Sequence, residues 1–338
     1  MNPYLKAGIA ASFLCFSSSF AQDAGGPIVA AVLPSSRAVQ VGDTATAFAT
    51  IINAGQTEAV SCRIELSPGG EATGSFSFQT TDATNAVTGS PNAPVNIAGG
   101  GAQSFVFAFT PGAPYDGGDL PLVFDCDNTD PAPVRAGVNS FWLSASTSAG
   151  ADIVAIADTG ASVGLNSLPG VVETIDRQKN GAFAVSISNV GAGANLTARP
   201  VSNPDGLTVT PRICQTNPST GACLSAAAES VDFFIGANET ASFAVFVIDG
   251  LPVAFEPGNN RISVRFEQGD ALRGSTSVAV RTLMSEPVLP QIPFLYADAD
   301  VDLPNYYLNG PVAGADNTPI DNHITNPGSA LGRVLFYD

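Results

Sequence analysis

A few residues in this 338-residue chain are of types that could do chemistry: five cysteines, some closely spaced aspartates, one histidine and one tryptophan. Asp298, Asp300 and Asp302 in "DADVD" stand where the first three ligands of an EF-hand loop would stand. That loop then needs Gly at its sixth position and Glu at its twelfth. Leu303 and Asn309 occupy those places, so the stretch reads as an acidic linker. Asp125 and Asp127 flank Cys126. On a strand they share a face and could hold a cation, although a solvated strand end beside a disulfide accounts for them as well. His323 is the sole histidine and lies in a polar loop. Ser–His and Cys–His nucleophile pairs are therefore excluded from residues 22–322. "SFWLS" puts Phe141 and Leu143 on one strand face and Trp142 on the other, where it is covered by a neighbour or marks a sugar or protein contact. "IAGGGAQ" lies between two strand-like runs and reads as a hairpin turn rather than a phosphate cradle, which must open a helix.

The cysteines depend on where the chain resides. Lys6, the apolar run "AGIAASFLCF" and small residues at Ser19 and Ala21 have the order of a secretory signal, residues 1–21, cleaved after Ala21. The run is too short for a membrane span, and no later stretch reaches that length. Leu14 ahead of Cys15 disfavours a lipid anchor. The expected location is therefore exported, periplasmic or at the surface of a bacterium. Export leaves Cys62, Cys126, Cys214 and Cys223, an even number that favours disulfides. The spacing pairs Cys62 with Cys126 and Cys214 with Cys223. Zinc is the alternative, but the pairs sit far apart and one histidine is a poor complement; no metal is expected. A net charge of −17, with Lys6 and Lys179 the only lysines, excludes nucleic acid as a partner.

What must position these residues is a diverged repeat. "TAFATIINAGQTEAVSCRIELSPGG" (44–70) matches "GAFAVSISNVGAGANLTARPVSNPDG" (181–206). Residues 94–111 match 230–248, and 122–143 match 262–280, in the same order. Phe105, Phe107 and Phe109 alternate with small residues, as do Phe243, Val245 and Val247, which is the period of a sheet with one buried face. Each copy should hold seven to nine short strands. The expected fold is all-β: two tandem immunoglobulin-like β-sandwiches, then a mostly irregular C-terminal tail with a short helix. The domains are 22–147 and 148–283, with a Pro-rich linker and tail over 284–338. The copies also resemble the Ig-like repeats of bacterial surface and exported proteins, where an Asn-x-Gly turn follows a Thr-rich strand.

The tail resembles something else. "LPNYY", "DNTPIDNHITNPG" and "ALGRVLFYD" occur in the order seen at the opening of bacterial di-haem cytochrome c peroxidase domains. Leu331, Gly332, Arg333, Leu335, Phe336, Tyr337 and Asp338 carry the closing motif. The resemblance implies a helix over about 329–337 that packs on a following haem domain, which is the expected partner. It also implies haem c as cofactor of that missing domain. No Cys-x-x-Cys-His occurs in these 338 residues, so neither catalytic nor haem-binding residues are expected in this chain. The expectation is the non-catalytic N-terminal part of an exported haem peroxidase, its Ig-like modules placing the enzyme or binding a protein or surface glycan. The alternative is a non-enzymatic exported adhesion or scaffold protein.

Overall fold

Alternation decides the architecture. Phe105, Phe107 and Phe109 are fully buried, while Ser104, Val106 and Ala108 between them turn to the opposite face. Phe243, Val245 and Val247 repeat the pattern. A strand with one apolar face must be covered by a second layer, and that happens twice in this chain. The computed structural model describes residues 27–160, 168–175, 180–203, 207–283 and the single position 309. One compact unit comprises residues 1–174 and 179–282; the other, 175–178 and 283–338, lies almost wholly outside the described residues. The expected tail helix falls there too.

The first set of strands is β1 (Ile28–Leu33), β2 (Ser36–Gln40), β3 (Ala45–Asn53), β4 (Ala59–Leu66), β5 (Gly74–Thr81), β6 (Val95–Ile97), β7 (Ala102–Pro111), β8 (Tyr115–Leu120), β9 (Leu122–Asp125) and β10 (Phe141–Ser146). One layer has the order β1-β3-β7-β5. The other consists of two ladders, β2-β10-β8 and β6-β4-β9. They share the run 115–125, which Pro121 interrupts, since proline has no N–H to give a ladder. The second set is β11 (Ile153–Asp158), β12 (Val171–Ile175), β13 (Asn180–Asn189), β14 (Ala194–Asn203), β15 (Val209–Thr216), β16 (Val231–Ile235), β17 (Thr240–Asp249), β18 (Arg261–Gln268) and β19 (Ala271–Leu283). Its layers are β11-β13-β17-β15 and β12-β19-β18-β14-β16. Strand for strand, this is the order of the first set, with β18 unbroken where β8 and β9 are split. Each set encloses its own hydrophobic core. Phe107 meets Phe141 edge-on across the first, and Phe233 and Phe243 do the same in the second. The chain is all-β, a β-sandwich in each half, and the described residues contain no helix.

The glycine run at 98–101 departs from expectation. It is not a hairpin turn, because β6 pairs with β4 whereas β7 pairs with β3 and β5. The chain crosses there from one sheet to the other, and Gly100, with φ of 70°, donates its N–H to the carbonyls of Asn53 and Gly55.

That contact belongs to a buried hub. Asn53 ends β3 and is 1% exposed. Its amide nitrogen donates to the carbonyls of Thr57 (2.7 Å) and Ile97 (3.0 Å), and its side-chain oxygen accepts the N–H of Gly55 (3.0 Å). Asn189 ends β13, is fully buried and repeats the scheme: it donates to Ala192 (2.8 Å) and Gly236 (3.0 Å) and accepts from Gly191 (3.1 Å). Gly191 cannot carry a side chain, because a Cβ would stand 2.3 Å from the Gly150 carbonyl oxygen. The Asn-x-Gly pairs thus fall at equivalent places in the two halves.

The halves are also clasped. Asp152 accepts two bonds from Arg37, Nε at 2.9 Å and a terminal nitrogen at 2.7 Å, and its other oxygen takes the Ala38 N–H at 3.0 Å. Both side chains are largely buried, at 12% and 6% exposure. Beside this pair, Ser36 accepts the Ser275 N–H (2.7 Å) and Ser277 donates to the Gly137 carbonyl (2.8 Å). A two-pronged guanidinium–carboxylate contact fixes orientation as well as distance.

Two measurements check these contacts. Asn189→Ala leaves buried carbonyls and the Gly191 N–H without partners and should lower unfolding free energy by about 2–3 kcal/mol, read from chemical denaturation. Asp152→Ala should cost about 3 kcal/mol. In a double-mutant cycle with Arg37→Ala the losses should overlap rather than add; simple additivity would mean the pair does not hold the halves together.

Candidate functional site

The cysteines pair as their spacing suggests. Cys62 and Cys126 are joined (S–S 2.10 Å, Cα–Cα 4.0 Å), linking β4 to the end of β9 inside the first core. Cys214 and Cys223 are joined as well (S–S 1.93 Å, Cα–Cα 5.6 Å). The second bridge holds residues 217–228 against β15, the outermost strand of its sheet, through the pairings Ile213 with Ala228 and Thr216 with Cys223. In the first sandwich a loop returns along β5 in the same way, pairing Thr81 with Val87. These loops cover part of the β5 and β15 edges, where another strand could otherwise add.

The flanking aspartates are taken up by an arginine rather than left to a cation. Arg63 on β4 reaches Asp127 at 2.6 Å, Glu65 at 2.5 Å and Asp125 at 3.7 Å. Bonds to Glu65 and Asp127 hold its guanidinium above the ordinary arginine value. Among the described residues no group of three or more His, Cys, Asp or Glu is placed to hold a metal. With Asn96 donating to Glu58 and accepting from the Ser61 N–H, this outward face of the first sandwich is closed by its own side chains.

Trp142 lies on the outer face of β10, between the fully buried Phe141 and Leu143, as the pentapeptide implies. Its indole covers Gly117, where a Cβ would stand 2.9 Å from the ring. Asp119 is its direct cross-strand partner. Although Asp119 reaches solvent, partial burial raises its carboxyl above the ordinary aspartate value. Burial, followed by the nearby Glu71 and Asp119, raises the Tyr115 hydroxyl in turn.

The open site is on the second sandwich, in the layer equivalent to the one Arg63 closes. "VDFFIG" places two phenylalanines in succession on β16, so they must face opposite ways. Phe233 enters the core against Phe243 and Phe266, whereas Phe234 is 65% exposed. Asn195 of β14 stands directly across from Phe234. In the next row Thr197 lies between Asp232 of β16 and Glu267 of β18. Thr197 donates to Asp232 (2.6 Å), and Arg199 pairs with Glu267 (3.3 Å). Gly269, at φ of 62°, has nothing within 4 Å of where a Cβ would stand and leaves one end open. The result is a shallow groove with an aromatic rim and a floor of amide, hydroxyl and carboxylate. Its polar groups are those of Asn195, Thr197, Asp232 and Glu267.

Leu331, Gly332, Arg333, Leu335, Phe336, Tyr337 and Asp338, together with His323 and the Asp298, Asp300 and Asp302 run, lie outside the described residues.

No family model matches the chain, and no curated protein matches it. Among solved structures it is similar to the secreted serine protease VesC from Vibrio cholerae, at 8% identity and a TM-score of 0.20, over 63% of this chain. It spans 45% of that protein's length. The CupB6 tip adhesin from Pseudomonas aeruginosa matches at 9% identity and a TM-score of 0.22, over 72% of this chain and 90% of that one. The N-terminal domain of PorA matches at 10% and 0.22, over 38% and 96%. At these scores the fold rests on the strands and sheets described above.

The sole tryptophan gives a direct check on its neighbourhood. Trp142 fluorescence should titrate with Asp119, at a midpoint above that of an ordinary aspartate. Asp119→Asn should abolish the step. Since folding favours the protonated carboxyl, Asp119 should make stability fall as pH rises from the ordinary aspartate value through the raised one.

Proposed function

We propose that the two sandwiches are the non-catalytic, exported part of a di-haem cytochrome c peroxidase-like protein, and that they place its haem domain. The observation that carries this reading is the closing motif, Leu331, Gly332, Arg333, Leu335, Phe336, Tyr337 and Asp338, preceded in sequence by "LPNYY" and "DNTPIDNHITNPG". Two structural features support the placing role. Both disulfides suit an oxidising compartment. The Arg37–Asp152 clasp suits a spacer that holds its halves in one orientation. In the described residues no helix is long and apolar enough to cross a membrane. Haem c would belong to the following domain, where peroxide reduction or a related oxidation would take place.

A second reading, a non-enzymatic adhesion or scaffold protein, is favoured by one observation, the open Phe234 groove.

Expression of the whole coding region with haem maturation separates the two. The first reading expects a Soret band and peroxide-dependent oxidation of a reduced cytochrome, with no such band from residues 1–338 alone. A coding region that ends near Asp338 without Cys-x-x-Cys-His would leave the adhesion reading.

A further inference from the structure

We infer that the groove on the second sandwich binds an uncharged glycan. The inference does not depend on a haem domain and goes beyond placement by naming the site and the ligand class. Phe234 offers a flat apolar face to solvent where a lone exposed phenylalanine would gain nothing by itself. A pyranose has a face of C–H groups that can lie on such a ring, and hydroxyls around its rim.

The polar groups are of the matching kind. Asn195, across from Phe234, is exposed and both donates and accepts. Asp232, two residues before Phe234 on the same face, has Thr197 on one oxygen and, among the described residues, no arginine or lysine paired with it. Its remaining lone pairs can accept from vicinal hydroxyls. Glu267 is turned to Arg199 and bounds the far side. Strand spacing sets the scale. Three strands span about 10 Å, and i to i+2 along one strand spans about 7 Å. That is room for one or two sugar rings, with the open end at Gly269 as the exit for a longer chain.

Charge narrows the class. Two carboxylates on a chain of net charge −17 repel sulfated, phosphorylated or uronic-acid sugars. The first sandwich serves as an internal comparison: there Arg63 pairs with three carboxylates on the equivalent face, where the second sandwich has Thr197 beside the exposed Phe234. The sequence diverged between the copies at the position where one is closed and the other open.

The test uses the isotopically labelled chain and uncharged hexasaccharides of glucose, mannose and N-acetylglucosamine, each added to about 10 mM, the range in which weak single-site binding is seen. At least one sugar should shift amide signals at Asn195, Phe234 and Gly269. Phe234→Ala should weaken that binding about tenfold or more, and Asp232→Asn should weaken it as well. Both residues face solvent, so the remaining spectrum should be unchanged. Phe48→Ala, which removes an exposed ring on the first sandwich, should leave binding intact. Three results would overturn the inference: no shift with any of the sugars, shifts that survive Phe234→Ala, or groove shifts produced by an oligolysine peptide but by none of the sugars.

Discussion

A single buried carboxamide, that of Asn189, connects the local fold to the arrangement of the two halves. Its nitrogen ties the turn after β13 to the turn before β17, through Ala192 and Gly236. Its oxygen takes the N–H of Asp152 at 3.1 Å, at the entrance to β11. Asp152, fixed at its backbone, then reaches across to Arg37 with its carboxylate. An amide in a low-dielectric core must have its partners, and each partner here is a different segment. The same residue in the first half, Asn53, stops one link short. Pro27 occupies the place equivalent to Asp152 and has no N–H to donate, although its carbonyl accepts from Ala54 as that of Asp152 accepts from Val190. The hub is thus repeated, while its extension into a clasp belongs to the second half alone.

Much of the fold is legible in the chain because it is local. Phe105, Phe107 and Phe109 state their own geometry, and the repeat in 44–70 and 181–206 carries the strand order from one half to the other. The cysteines are legible for a related reason, since each pair lies within one copy. Asn53 and Asn189 are not. Asn-x-Gly is a turn signal, and a turn is what a short window contains. Their burial depends on carbonyls about 45 residues away, at Ile97 and Gly236. The glycine run at 98–101 fails as a hairpin in the same way, because only the assembled sandwich decides which sheet each flanking strand joins.

The groove had a readable signal that composition hides. Two adjacent phenylalanines on a strand face opposite ways, so in a sheet with one open face "DFF" points one ring outward. What the sequence could not supply is its company, since Asn195 and Glu267 come from other strands. Arg37 likewise carries no mark in "SSRAVQ" that sets it apart from a surface charge. Its role follows from β2 leaving the sheet of β1 to lie along β10, where it faces the neighbouring half.

That switch has a mechanical side. β2 and β10 run parallel, with Ser36 beside Trp142 and Gln40 beside Ser146. They are near the first and last strands of their sandwich, so tension applied at its two ends draws them past each other along their length. Five adjacent residue pairs then resist together in shear, where an antiparallel hairpin pulled from its open end would unzip rung by rung. Separating the last strand of this sandwich from β2 along the strand direction therefore requires breaking the whole parallel ladder at once.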